Sequence, residues 1–171
     1  WISNHKLKYQ VDALEANSHY SCSFHDTYVS FDDEPEEMIP WRDFSCIHSM
    51  KISDIIAPLS PFHTSSFMAR RSCIESLPSC WLHSQSGDLV LFIESAVQGD
   101  AVKVEDVWSL YRKHPAGMTN DASLKEDHFH KARIKMHKAL RKHYRKNKQV
   151  APELFDSLIR HHRRCIKKRN I

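Results

Sequence analysis

Glycine is scarce in this chain, with only Gly87, Gly99 and Gly117 among 171 residues. That scarcity excludes the Gly-rich loops that cradle phosphates and the Gly-x-Gly-x-x-Gly turn of dinucleotide-binding folds, because both need backbone without Cβ against the ligand. The chain also lacks Gly-x-Ser-x-Gly, His-Glu-x-x-His, a Walker loop and the kinase signature set, so no nucleophile–base–orienter group can be named. Its longest apolar run, Leu89 to Ile93, falls far short of the roughly 20 residues that span a bilayer. Within the residues given, no signal peptide stands out. Five cysteines, Cys22, Cys46, Cys73, Cys80 and Cys165, make an odd number at irregular spacing, which favours reduced thiols and an intracellular setting over a disulfide framework. The first residue is Trp1 rather than Met, which reads as a piece cut from something longer.

What is present is charge, and it is sorted by sign. Residues 1–110 carry 7 Lys and Arg against 16 Asp and Glu, a balance of −9. Residues 111–171 carry 18 against 5, a balance of +13, so the net +4 conceals two opposed halves. Asymmetry of this kind points to nucleic-acid or membrane association. The plainer reading is that the basic part docks on the acidic part, although such docking still leaves cations over.

The pattern predicts an α+β fold, with a small mixed or antiparallel sheet, barrel-like in one arrangement, followed by a basic C-terminal helical pair. Residues 1–114 form the acidic, strand-rich domain and 115–171 the basic two-helix tail packed on it. Leu7 to Leu14 is open to strand or short helix. Ser21 to Phe31 alternates as a strand and ends at the acidic turn Asp32–Glu37. Met38 to Trp41 reads as extended, because Ile39 precedes a proline. Ile52 to Ile56 fits one helical turn, and the Ser-rich stretch from Ser60 to Ser86 fits loop and short elements.

Gly87-Asp88 reads as a turn into a buried strand, Leu89 to Ile93, with Ala101 to Val104 returning as the second strand of a hairpin. Glu105 to His114 reads as a closing helix, with acids at its start and bases at its end. Ser123 to Glu126 has the form of a capping box opening a long helix. Its apolar stripe is Leu124, His128, Ala132, Met136 and Leu140. A second helix begins near Pro152 and buries Leu154, Phe155, Leu158, Ile159, Cys165 and Ile166.

Three constellations carry chemistry. The first is the basic face, comprising Lys131, Lys135, Lys138, Arg141, Lys142, Arg145, Arg160, Arg163, Arg164, Lys167 and Lys168. Lysines and arginines in such density attract phosphate backbones by displacing condensed counterions. They imply a DNA, RNA or chromatin partner and a nuclear setting, with a protein partner for the acidic part. The plainer alternative is a solvated face, with Arg163 to Arg169 serving as a localisation signal. Seven histidines, His114, His128, His130, His137, His143, His161 and His162, would tighten such binding as pH falls.

The second constellation is Cys22-x-x-His25 with Cys80-x-x-His83, which has the donor types of a structural zinc site. Against it, residues i and i+3 of a strand point to opposite faces. No other cofactor is expected. The third joins Tyr28, Phe31, Asp32, Asp33, Trp41 and Phe44, aromatic rings beside carboxylates, a combination that holds a methylated lysine or a basic peptide by cation–π attraction. The stretch YVSFDDEPEEMIPWRDF resembles the strand–turn–strand of small barrels of the Tudor kind, and that resemblance implies a histone-tail or peptide reader. Packing is the ordinary use of such aromatics. A further alternative, a metal-dependent nuclease, would draw on Asp26, Asp32, Asp33, Glu34 and Glu37.

Overall fold

A computed structural model describes residues 3–32, 34–58, 60–75, 77–84, 86–115 and 127–167. The chain is a mixed α+β fold: a curled, open mixed sheet forming a half-barrel, with five helices that include a C-terminal pair. The strands are β1 (Tyr20–Phe31), β2 (Glu34–Pro40), β3 (Ser49–Met50), β4 (Met68–Ala69) and β5 (Asp100–Lys113). The helices are α1 (Lys6–Ala16), α2 (Ile52–Ile55), α3 (Gly87–Ala96), α4 (Asp127–Tyr144) and α5 (Pro152–Lys167). Short 3₁₀ turns at Thr64–Ser66, Arg71–Cys73 and Ser79–His83 fill the Ser-rich stretch. No helix among the described residues is long and apolar enough to cross a membrane.

Strand β1 organises the sheet, whose order is β2-β1-β5-β3, with β4 also paired to β1. The acidic stretch expected as a turn is instead largely strand. Its reversal is confined to the neighbourhood of Asp32, and Glu34–Pro40 returns antiparallel, with Val29 opposite Ile39.

Two other expectations are overturned. The apolar run Leu89 to Ile93 is the middle of helix α3, not a strand. A run without period fits either element, and here the helix continues through Glu94, Ser95 and Ala96, all buried. Once that segment is helical, Ala101 to Val104 cannot be half of a hairpin with it. These residues begin β5, which lies parallel to β1, with Ser23 opposite Val102 and Tyr28 opposite Leu110. Parallel neighbours need a long crossover, and α3 lies on that connection.

The closing helix expected over Glu105 to His114 is absent for the same reason: β5 runs on to Lys113. Between Lys103, opposite Phe24, and Trp108, opposite Asp26, the strand bulges out. Asp106 takes φ 60° there, a left-handed conformation that Asp tolerates better than most residues. Beside the bulge, Lys103 Nζ meets Asp26 at 3.3 Å and Glu105 at 3.2 Å and donates to the Phe44 carbonyl at 3.3 Å. Burial alone would lower its pKa, but the two carboxylates outweigh burial and hold it above the ordinary lysine value.

Alternation along β1 sends Cys22 and Phe24 into the apolar core and Ser23 to the opposite face. On that opposite face, Gln10 of α1 donates to Ser66 O at 2.7 Å and Ser23 Oγ at 3.3 Å. In the core, the Phe24 ring stacks on Phe62 at 4.8 Å, and Phe92 of α3 approaches Phe62 at 4.6 Å and Phe67 at 4.7 Å. Each such ring contributes about 1.5–3 kcal/mol by leaving water. The same buried cluster takes in Met136, Leu140, Tyr144, Phe155 and Leu158, so the C-terminal pair shares a core with the sheet. A polar tie reinforces that junction, where Tyr144 Oη donates to the Glu94 carboxylate.

Candidate nucleic-acid interface

Helices α4 and α5 are joined by a short turn and lie antiparallel. Arg141 meets Asp156 at 3.0 Å, the Tyr144 ring stacks on Phe155, and His130 contacts His162. The capping box expected at Ser123–Glu126 lies outside the described residues, as do Leu124 and Lys168. The buried side of α4 consists of His130, Met136, His137, Leu140 and Tyr144. It departs from the expected stripe, in which His128 is exposed and Ala132 only half-buried. The reason is geometric. Steps of four residues advance about 40° too far on a helix of 3.6 residues per turn, so a run of them drifts off the buried side.

The same arithmetic places the cations. Lys131, Lys135, Lys138, Lys142 and Arg145 recur at steps of four and three and form one row along α4. That row spans about 21 Å at 1.5 Å per residue. Its centre lies about 150° around the axis from the buried side, at roughly 100° per residue. Arg160, Arg163, Arg164 and Lys167 form the matching row on α5, opposite buried Phe155, Leu158, Ile159 and His162. All nine of these side chains are exposed. Among the described residues none of the nine forms an ion pair, and of the expected set only Arg141 does. Asp156, which pairs with Arg141, stands in line with Arg160, Arg163 and Lys167 at steps of four and three, and exposed Glu153 lies beside that line, so the α5 row begins only at Arg160.

Lys146 and Lys148 are exposed in the connecting turn, just beyond the end of α4. In the sequence they sit beside Asn147 and Gln149 and read only as part of a polar turn. Arg133 does not join the outer face. Its guanidinium lies 5.3 Å over the Phe129 ring, with Nε buried and unpartnered among the described residues, and burial lowers its pKa.

Three of the seven histidines are likewise withdrawn from the surface. His130 Nδ1 faces His162 Nδ1 at 3.0 Å, and the His137 ring stacks on His162 at 5.5 Å. Burial holds His137 down at about 3 and His162 at about 4, with neighbouring cationic and imidazole groups adding to the shift. His137 and His162 therefore add no positive charge to the outer face as pH falls toward 6, contrary to the sequence expectation. With His130 they form the polar lining of a helix seam.

The residues of the other predicted sites have their own surroundings. Cys22 is fully buried in the apolar core, its thiol pushed up to about 12 chiefly by burial. His25 is buried as well, its Nδ1 bonded to Asp26 O at 2.8 Å, and burial holds it down at about 4. Cys80 lies in the 3₁₀ turn Ser79–His83, whose His83 side chain is outside the described residues. No group of three or more His, Cys, Asp or Glu among the described residues is placed to hold a metal ion.

The acidic and aromatic set does not assemble either. Phe44 is a core residue, edge-on to Phe24 at 5.3 Å and shut off from any peptide. Tyr28 packs on Trp108, Phe31 receives Lys113, and Asp32 pairs with Arg112 at 3.4 Å. Asp33 lies outside the described residues. Trp41 joins a cluster that sequence spacing does not reveal, with His63 at 5.1 Å and Tyr111 at 6.3 Å. His63 and Tyr111 are themselves 4.5 Å apart, so these rings pack against one another and leave no room between them for a methylated ammonium. Of the acids proposed for nuclease chemistry, Asp26 is engaged by Lys103 and Asp32 by Arg112.

Comparison with protein-family models, with curated proteins and with solved structures finds no match for this chain.

Proposed function

We propose that this chain binds nucleic acid through the outer faces of α4 and α5, gripping the phosphate backbone, while its acidic, sheet-bearing part engages a protein. The single observation that carries this reading is the pair of aligned cation rows, exposed and, among the described residues, free of carboxylate partners. Nine such charges on one rigid surface are costly in self-repulsion and gain most when phosphates replace them as neighbours. The binding energy comes from counterions released off the polyanion, which makes affinity salt-dependent and largely indifferent to base sequence. A chromatin-associated role fits the same chemistry.

The test compares binding of a random-sequence oligonucleotide at low salt by the native chain and by Lys131→Gln/Lys135→Gln/Lys138→Gln/Lys142→Gln. Loss of these four contacts is expected to weaken binding about a hundredfold. A control exchanging Lys8 and Arg71, both exposed on the acidic part, is expected to bind as the native chain does. Unchanged binding by the quadruple variant, or an equal loss in the control, rejects the reading.

A further inference from the structure

The two rows differ from a diffuse basic patch in one respect that bears on what they hold. Each is a straight line of charge on a helix, and the helices are pinned side by side by Arg141–Asp156, Tyr144–Phe155 and His130–His162. Both rows point away from the shared core, so they run alongside one another at about the 8–10 Å separation of packed helix axes. Two parallel lines of positive charge at fixed spacing match two parallel lines of phosphate, which is what flanks a groove of a double helix. The grooves of B-form DNA are about 6 and 12 Å wide, a range that flexible lysine and arginine side chains on such rows can bridge.

A single strand offers one flexible line of phosphate and is ordinarily held by stacking its bases on exposed aromatic rings. Among the described residues, the outer faces of α4 and α5 carry no Phe, Tyr or Trp ring, and exposed His128 is the ring nearest the α4 row. Phe129 is half-buried beneath Arg133, and Tyr144 and Phe155 are buried in the core.

Resting on the proposed nucleic-acid reading, we propose that the ligand of this face is double-helical nucleic acid, straddled across a groove by the α4 row on one phosphate strand and the α5 row on the other, without base readout. The α4 row covers less than one helical turn, so a duplex of about two turns is long enough to contain the whole site.

The experiment measures binding of the native chain to random-sequence duplex DNA, duplex RNA and the corresponding single strands, each between about 50 and 200 mM salt. It then repeats the duplex titrations with the α4 variant above and with Arg160→Gln/Arg163→Gln/Arg164→Gln. Thermal unfolding monitored by circular dichroism verifies that both variants are folded. The expected result is duplex binding about tenfold or more tighter than single-strand binding, with each row variant independently lowering the salt slope by about 3. The DNA and RNA arms report which duplex geometry the row spacing prefers. Single strands bound as tightly as duplexes, or an α5-row variant indistinguishable from the native chain, overturns the straddling geometry while leaving nucleic-acid binding standing. Absence of salt-dependent binding to every polymer rejects the underlying reading instead.

Discussion

At Gly99 the approach of two backbone segments leaves no space for a side chain. A Cβ there would stand 2.3 Å from the His19 carbonyl oxygen and 3.1 Å from the Ser21 nitrogen. The crowding has a purpose, since it lets β5 start alongside β1. Ser21 Oγ donates to the Gly99 carbonyl at 2.7 Å, and Asp100 N donates to His19 O at 3.2 Å. Gly99→Ala must therefore push the strand ends apart, at a cost of about 1–3 kcal/mol, the usual range for overpacking. Urea unfolding is the measurement, and a midpoint equal to that of the native chain would contradict the packing described. The sequence suggests a hairpin strand returning at Ala101, just beyond this glycine. The observed role of Gly99 is close approach in a parallel pair, which depends on residues far earlier in the chain and is invisible locally.

Among the elements, the α4–α5 seam makes the sharpest demand on conditions. His137 is 1% exposed and His162 is 7% exposed, with folded values of about 3 and 4 against an ordinary histidine value of 6.5. The sign follows directly. Well above pH 6.5 both rings are neutral, folded or unfolded, so the two states bind the same number of protons there. Below it the unfolded chain takes up protons that the folded seam refuses, so stability falls as pH falls toward those folded values. Each ring then contributes a loss of up to about 1.4 kcal/mol per pH unit, and His25, held at about 4 by its own burial, adds another. A drop of several kcal/mol between pH 7 and pH 5 is expected in urea unfolding. His137→Leu removes a buried Nδ1 that has no partner among the described residues, so it is expected to leave stability at pH 7 unchanged or raised and to shrink the loss at pH 5. A loss as large as in the native chain would show that the ring does not govern acid stability.

How much of the architecture was legible depends on which force decides each element. The C-terminal helices are amphipathic on their own, so their period shows in the residues. Strand β1 shows for the same reason, with polar and apolar neighbours alternating. Helix α3 and strand β5 do not, because each is surrounded. Reading an element from its apolar run fails where Leu89, Val90, Phe92 and Ile93 are all buried and no face remains to mark the period. In β5, Trp108 and Tyr111 touch partners on different sides, and the acids at Glu105 and Asp106 belong to a bulge, not to a helix start. The cation rows were legible as composition, and their alignment follows from spacing alone. The burial of Arg133 and of three histidines is set by the partner helix, which spacing within α4 cannot report.

For the molecule as a whole, folding keeps the two signs apart. Residues 127–167 hold 13 Lys and Arg against three Asp and Glu. The acids of the sheet part engage local cations, as in Lys103 with Asp26 and Arg112 with Asp32, and among the described residues they do not cover the outer helix faces. The chain therefore presents a positive surface on a rigid support, built over a core shared by both halves. Polyanion binding by that surface is the central claim, and its most direct measure is the dependence of the association constant for a random-sequence duplex on salt. With about seven phosphates neutralised, four by the α4 lysines and three by the α5 arginines, the log–log slope is expected near −6.3, a loss of about 6,000-fold from 50 to 200 mM. A slope near zero, or no binding at the lower salt concentration, would contradict it.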